Sequence, residues 1–174
     1  AVQLYPGQSQ QLAASALDAN GAPLSGRTFT WSSANPAIVS VDASGRVSGL
    51  ALGGPVTVTA SAEGKSGAAS VRVVPRPAAQ LAIVTQPDSV AQSGVPLGRQ
   101  PVVRLVDDLG GPVSQSGLTV TAEVASGAGT VSAGNSATTD ASGVASFSGL
   151  AITGQAGPYT LRFSVGVVAS ITSA

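Results

Sequence analysis

The tetrapeptide Asp42-Ala43-Ser44-Gly45 returns unchanged as Asp140-Ala141-Ser142-Gly143, at an offset of 98 residues. A repeat of that length is the size of one small β-sandwich, so the chain reads as one grammar written twice. Asp at the first turn position and Gly at the fourth mark a tight reversal between two strands. Around both copies the apolar residues alternate with Ser and Thr. Leu12, Ala14 and Ala16 do so, followed by a turn at Asp18-Ala19-Asn20-Gly21. Val56, Val58 and Ala60 alternate with Thr57, Thr59 and Ser61, and Leu118, Val120, Ala122 and Val124 alternate in the second half. Phe29 and Trp31 lie two apart and share a strand face. No apolar period of 3.6 persists for about ten residues, so no helix is expected.

Val74-Pro75-Arg76-Pro77 interrupts the pattern. Two prolines one residue apart cannot occupy a central strand and stiffen the local backbone. The fold expected is therefore all-β, two tandem sandwiches, with domains at residues 1–75 and 76–174 joined by a short, semi-rigid link.

Composition removes most chemistry. Charged residues are 9% of the chain, the net charge is zero and Lys65 is the single lysine. Nothing here makes the basic surface that nucleic acid or an anionic membrane requires. There is no Cys and no His, so disulfides, thiolate nucleophiles, His-based metal sites and Ser-His-Asp triads are excluded. Gly (22) and Pro (11) are frequent, but a 43% hydrophobic content in alternating runs is the texture of short strands rather than disorder. No apolar run approaches the ~18 residues of a membrane helix. Starting at Ala1 without an initiator Met or a signal-like segment, the chain is expected to be a processed product or an excerpt.

Several motifs invite functional readings. Gly64-Lys65-Ser66 looks like the end of a phosphate loop, but Thr59 stands where the first Gly belongs and no helix follows. A hairpin turn is expected. Asp107-Asp108 is an adjacent carboxylate pair whose members would point to opposite faces of a strand, which rules out a paired acid and base. Asp18, Asn20, Asp42 and Asp140 offer oxygens to Ca²⁺ without any EF-hand spacing, and turn chemistry accounts for them equally well. Trp31 could stack on a sugar; a core position, near Leu12, Val41, Val58 and Val71, suits it better. Ser126-Gly127-Ala128-Gly129-Thr130 reads as a flexible loop. Asp88-Ser89-Val90 matches a short bacterial O-glycosylation sequon. No residue is assigned a catalytic, cofactor-binding or metal-binding role.

Residues 30–49, with Trp31-Ser32-Ser33, Pro36 and Gly45-Arg46-Val47-Ser48-Gly49, together with Pro6-Gly7-Gln8 and Gln11-Leu12, resemble the group 2 bacterial immunoglobulin-like (Big) domains. Thr85-Gln86-Pro87, Ser93-Gly94 and Gly157-Pro158-Tyr159-Thr160-Leu161 make the second half resemble a related bacterial Ig-like repeat. The resemblance implies immunoglobulin-like sandwiches and no shared catalytic residues. It implies a spacer, stalk or display module of an extracellular bacterial surface protein, with other Ig-like repeats as partners. Group 2 domains usually open with an alternating strand before the segment matching residues 1–7, and that strand is missing here. Residues 80–86 supply its counterpart in the second half. Either the chain comes from a longer array, or another chain completes the first sheet. The second alternative makes the protein a self-assembling extracellular filament, a homo-polymer joined head-to-tail by residues 165–174. An adhesin binding module is a further alternative; no exposed aromatic cluster marks one.

Overall fold

A computed structural model describes every residue except Ser89, Val90 and Ala156. The described residues contain strands and turns and no helix. The chain divides into two compact units, Ala1–Arg76 and Pro77–Ala174.

The first unit contains β1 (Val2–Leu4), β2 (Ser9–Gln11), β3 (Ala16–Leu17), β4 (Pro23–Leu24), β5 (Thr30–Ser33), β6 (Val39–Val41), β7 (Arg46–Gly49), β8 (Gly53–Ala62) and β9 (Lys65–Val73). One sheet has the order β1-β9-β8-β5 and the other β2-β7-β6. Both feed one core of Leu4, Val39, Val47, Val56, Val58, Val71 and Val73. In β8 the alternation works as read: Val56, Val58 and Ala60 are buried while Thr57 is exposed. First and last strands of the unit run parallel, with Val2 opposite Val71 and Leu4 opposite Val73. One expected strand is divided. Leu12, Ala14 and Ala16 alternate, yet residues 12–15 lie in no strand. The ladder of β2 on β7 ends where Leu12 N–H meets the Gly45 carbonyl, and Ala16 then pairs with Leu24 in a separate small hairpin.

The second unit contains β10 (Gln80–Thr85), β11 (Val102–Val106), β12 (Thr119–Ser126), β13 (Gly129–Ala133), β14 (Ser136–Thr138), β15 (Val144–Ser146), β16 (Ala151–Gly154), β17 (Thr160–Val165) and β18 (Val168–Thr172). Seven of these form one hydrogen-bonded series, β14-β12-β17-β18-β10-β11-β15, while β13 pairs with β16. Its core is larger and carries the aromatics: Phe163, fully buried, meets Phe147 at a centroid distance of 5.3 Å. Completely burying a Phe side chain contributes on the order of 2–3 kcal/mol.

The C-terminal stretch does not run on as a free strand. β18 is paired on both edges, to β17 and to β10, and Ser173 N–H donates to the Leu161 carbonyl. Residues 165–174 are thus engaged in their own sandwich.

Candidate functional site

One turn is built four times. At Asp42, carboxylate Oδ1 accepts N–H bonds from Ser44 (2.8 Å) and Arg46 (3.0 Å), while Gly45 N–H donates to the Asp42 carbonyl (3.0 Å). Asp140 repeats this with Ser142 (2.8 Å), Val144 (3.0 Å) and Gly143. Asp18 does so with Asn20, Ala22 and Gly21, and Asp107 with Leu109, Gly111 and Gly110. In all four the glycine adopts a positive φ, between +81° and +85° at Gly21, Gly45 and Gly110 and +76° at Gly143. This is the left-handed residue that lets a turn rejoin its strand. A turn over Asp108-Leu109-Gly110-Gly111-Pro112 is legible in the sequence; the structure starts it one residue earlier, at Asp107. Asp107 lies at the start of this turn, outside any strand, and is buried against Gly111.

These contacts also set the electrostatics. The Ser44 hydroxyl, then the Arg46 N–H, hold the Asp42 carboxyl below its usual range. The Ser142 hydroxyl, then the Val144 N–H, do the same for Asp140. Each Oδ1 is already occupied by backbone donors, which weakens any case for these oxygens as cation ligands. Among the described residues no group of three acidic side chains converges.

The other motifs resolve locally. Gly64-Lys65-Ser66 sits at the β8–β9 hairpin, with Ala62 opposite Lys65 and positive φ at Glu63 (49°) and Gly64 (76°). Two positive φ values in a two-residue loop match the right-handed twist of a hairpin. Trp31 packs against the first core, as Leu12 and Val41 also do, half-buried rather than enclosed. A cleft of about 250 Å³ runs beside it, lined by Leu12, Ala14, Phe29, Val58, Gly67 and Ala69 among others.

The glycine-rich segment is not the flexible loop it resembled. A Cβ at Gly127 would fall 2.4 Å from Cδ1 of Tyr159, one at Gly129 2.9 Å from Cε1, and one at Gly154 2.5 Å from its hydroxyl. The glycines make room for the Tyr159 ring, whose hydroxyl donates to the Ala128 and Gln155 carbonyls. Gly127 and Gly154 are far apart in sequence, so no local pattern could have revealed this. Tyr159 also borders a cleft of about 510 Å³ shared with Pro87, Gln92, Leu97 and Ile152. Pro87, Ser93 and residues 157–161, which carried the family resemblance of the second half, line it as well. Of the glycosylation sequon, Asp88 accepts the Arg99 N–H at 2.7 Å; Ser89 and Val90 lie outside the described residues.

Two-layer β units with this strand order, each around its own core, make the chain a tandem of immunoglobulin-like sandwiches. The chain belongs to the Ig-like domains: residues 76–172, more than half of it, match the family SMCHD1 Ig-like domain 6, and residues 1–73 match the bacterial Ig-like domain (group 2). Among solved structures it is similar to domains 4 and 5 of the S-layer protein SbsC, at 21% identity, covering 99% of this chain and 90% of that one, with a TM-score of 0.39. It covers 21% of the longer SbsC chain of domains 1–6. It is similar to the D00-D0 domain of intimin (15% identity, 99% and 93% coverage, TM-score 0.43). The Escherichia coli adhesin FdeC is matched at 17% identity, with 98% and 60% coverage and a TM-score of 0.49. No curated protein matches.

Proposed function

We propose that residues 1–174 form a non-enzymatic structural tandem, a spacer or display module of an extracellular bacterial surface protein. Its two modules are residues 1–75 and 76–174, and its partners are other Ig-like repeats. The reading is carried by the four Asp-x-x-Gly turns. The side chains best placed to do chemistry in a chain without His or Cys spend their oxygens on backbone N–H groups. The match to the bacterial Ig-like group 2 family supports the same assignment.

A spacer is defined by its dimensions rather than its surface chemistry. The test replaces residues 1–174, within the protein that carries them, by an unrelated pair of Ig-like sandwiches of similar length. Display of the flanking parts should persist. Loss of display with the foreign pair, restored by the native chain alone, would assign a specific recognition role instead. Calorimetric titration with Ca²⁺ should give no tight binding, since a hard cation needs about six oxygens; a sub-micromolar site would overturn the absence of a metal role.

A further inference from the structure

The cleft of about 510 Å³ in the second unit opens at the end where β17 begins. Its volume falls in the range of small-ligand sites, about 300–1,000 Å³. The floor is the core itself, because Leu97, Ile152 and Leu161, exposed by 5%, 6% and 2%, all line it. Pro87, Pro158 and Tyr159 add further apolar surface. The exposed lining residues Gln92, Ser93 and Gln155 bring two carboxamides and a hydroxyl.

This lining is held in place by bonds that no ligand has to supply. Gly94 N–H donates to the Ile152 carbonyl at 2.8 Å and Leu97 N–H to the Leu150 carbonyl at 2.9 Å. The Gln100 side chain closes the join. Its Nε2 donates to the Leu97 carbonyl at 2.7 Å, and its Oε1 accepts the Leu150 N–H at 2.9 Å. The Tyr159 hydroxyl is shared between the Ala128 and Gln155 carbonyls, and the ring rests on glycine: a Cβ at Gly127 would lie 2.4 Å from its Cδ1. A site formed before its ligand arrives has less ordering left to do on binding.

Charge and backbone bonding decide what can enter. Among the described residues Asp88 is the one charged side chain lining the cleft, and Arg99 engages it. Its Oδ2 accepts the Arg99 N–H at 2.7 Å, and Oδ1 lies 3.7 Å from Arg99 Nε. No Lys or Arg among the described lining residues offsets an anion. An extended peptide needs a strand edge with open backbone groups. Here β16 has β13 on one edge and residues 94–97 on the other, and β17 lies between β12 and β18.

We propose that this cleft binds a neutral glycan. A pyranose ring offers a C–H face to an apolar floor and, around its edge, hydroxyls that both donate and accept. Carboxamides answer such hydroxyls with donors and an acceptor in one plane. Ser93 Oγ accepts the Gly154 N–H at 3.2 Å and keeps its own proton to donate. Gln92, Ser93 and Gln155 are accordingly the specificity-determining residues, and Leu97, Ile152 and Tyr159 form the surface that the sugar covers. The proposal goes beyond the spacer reading, which needs no ligand and stands if the cleft binds none.

The probes are lactose, cellobiose and chitobiose, titrated into the full chain with amide NMR shifts read residue by residue. At least one should give saturable shifts at Gln92, Ser93, Gln155 and Tyr159, with half-saturation at about 1 mM or below. Gln92→Ala and Gln155→Ala change exposed side chains. Each should weaken binding by about threefold to tenfold and leave the melting temperature in place. The anionic sialyllactose should bind no more tightly than lactose. Absence of saturable shifts with all three sugars at tens of millimolar would overturn the proposal. Binding undiminished by either substitution, or tighter binding of sialyllactose, would do the same. So would a hexaproline peptide that shifts these amides while the sugars leave them unmoved, since the occupant would then be a peptide.

Discussion

The indole of Trp31 lies directly over the α-carbon of Gly45: a Cβ there would sit 2.6 Å from both Cε2 and Cζ2. One glycine thus answers two demands, the left-handed corner of the Asp42 turn, at φ +85°, and the thickness of the ring above it. Gly45→Ala should therefore cost more than an ordinary turn glycine, about 3 kcal/mol, of which about 1–2 is backbone strain. Gly21→Ala, with φ +84° and nothing within 4 Å, provides the comparison and should lose only the strain. Denaturant unfolding of both variants measures the difference; equal losses would remove the indole contact from the argument.

Trp31 is the one tryptophan of the chain, so its emission reports the first unit. An enclosed Trp replaced by Ala costs about 3–5 kcal/mol. Because Trp31 is half-buried beside an open cleft, Trp31→Ala should cost less, about 2–3 kcal/mol, measured by circular dichroism of the unfolding transition.

Phe163→Ala should cost about 3–5 kcal/mol in the second unit, since the ring is fully buried against Phe147. The two cores share no residue. The transition followed by Trp31 fluorescence should accordingly stay in place while the calorimetric transition of the second unit moves down. A parallel shift of both would indicate one cooperative unit.

Acid should loosen both modules through the same turn. The carboxyls of Asp42 and Asp140 are held below their ordinary value in the folded state. A lowered folded pKa adds stability that is complete above the unfolded value and disappears as pH falls through the folded one. The loss should therefore fall below about pH 4. Asp42→Asn with Asp140→Asn keeps an oxygen for the backbone N–H groups but cannot titrate. Thermal melts of the double variant between pH 5 and 2.5 should fall less steeply than those of the parent. An identical slope would mean that other carboxylates carry the acid limb.

What was legible in the sequence was whatever a short stretch decides for itself. Period-2 alternation located β8 and β12, and the Asp-x-x-Gly spacing located turns because the aspartate and the glycine act within five residues. The half-buried setting of Trp31 was not legible, since it depends on what stands beside Leu12. Nor was the Tyr159 seat, which three glycines from two separate segments create together. The break in residues 12–15 escaped for a different reason: apolar alternation records which face is buried, and says nothing of when a strand changes partners.

The parallel pairing of terminal strands governs how each unit answers a pull on its ends. β1 opens the first unit and lies parallel to β9, which closes it; β10 and β18 stand in the same relation in the second. In such a pair, tension at the two termini drives the strands past one another along their axes. The bonds from Val2 to Val74 would then be loaded together, in shear, instead of giving way one at a time like a zip.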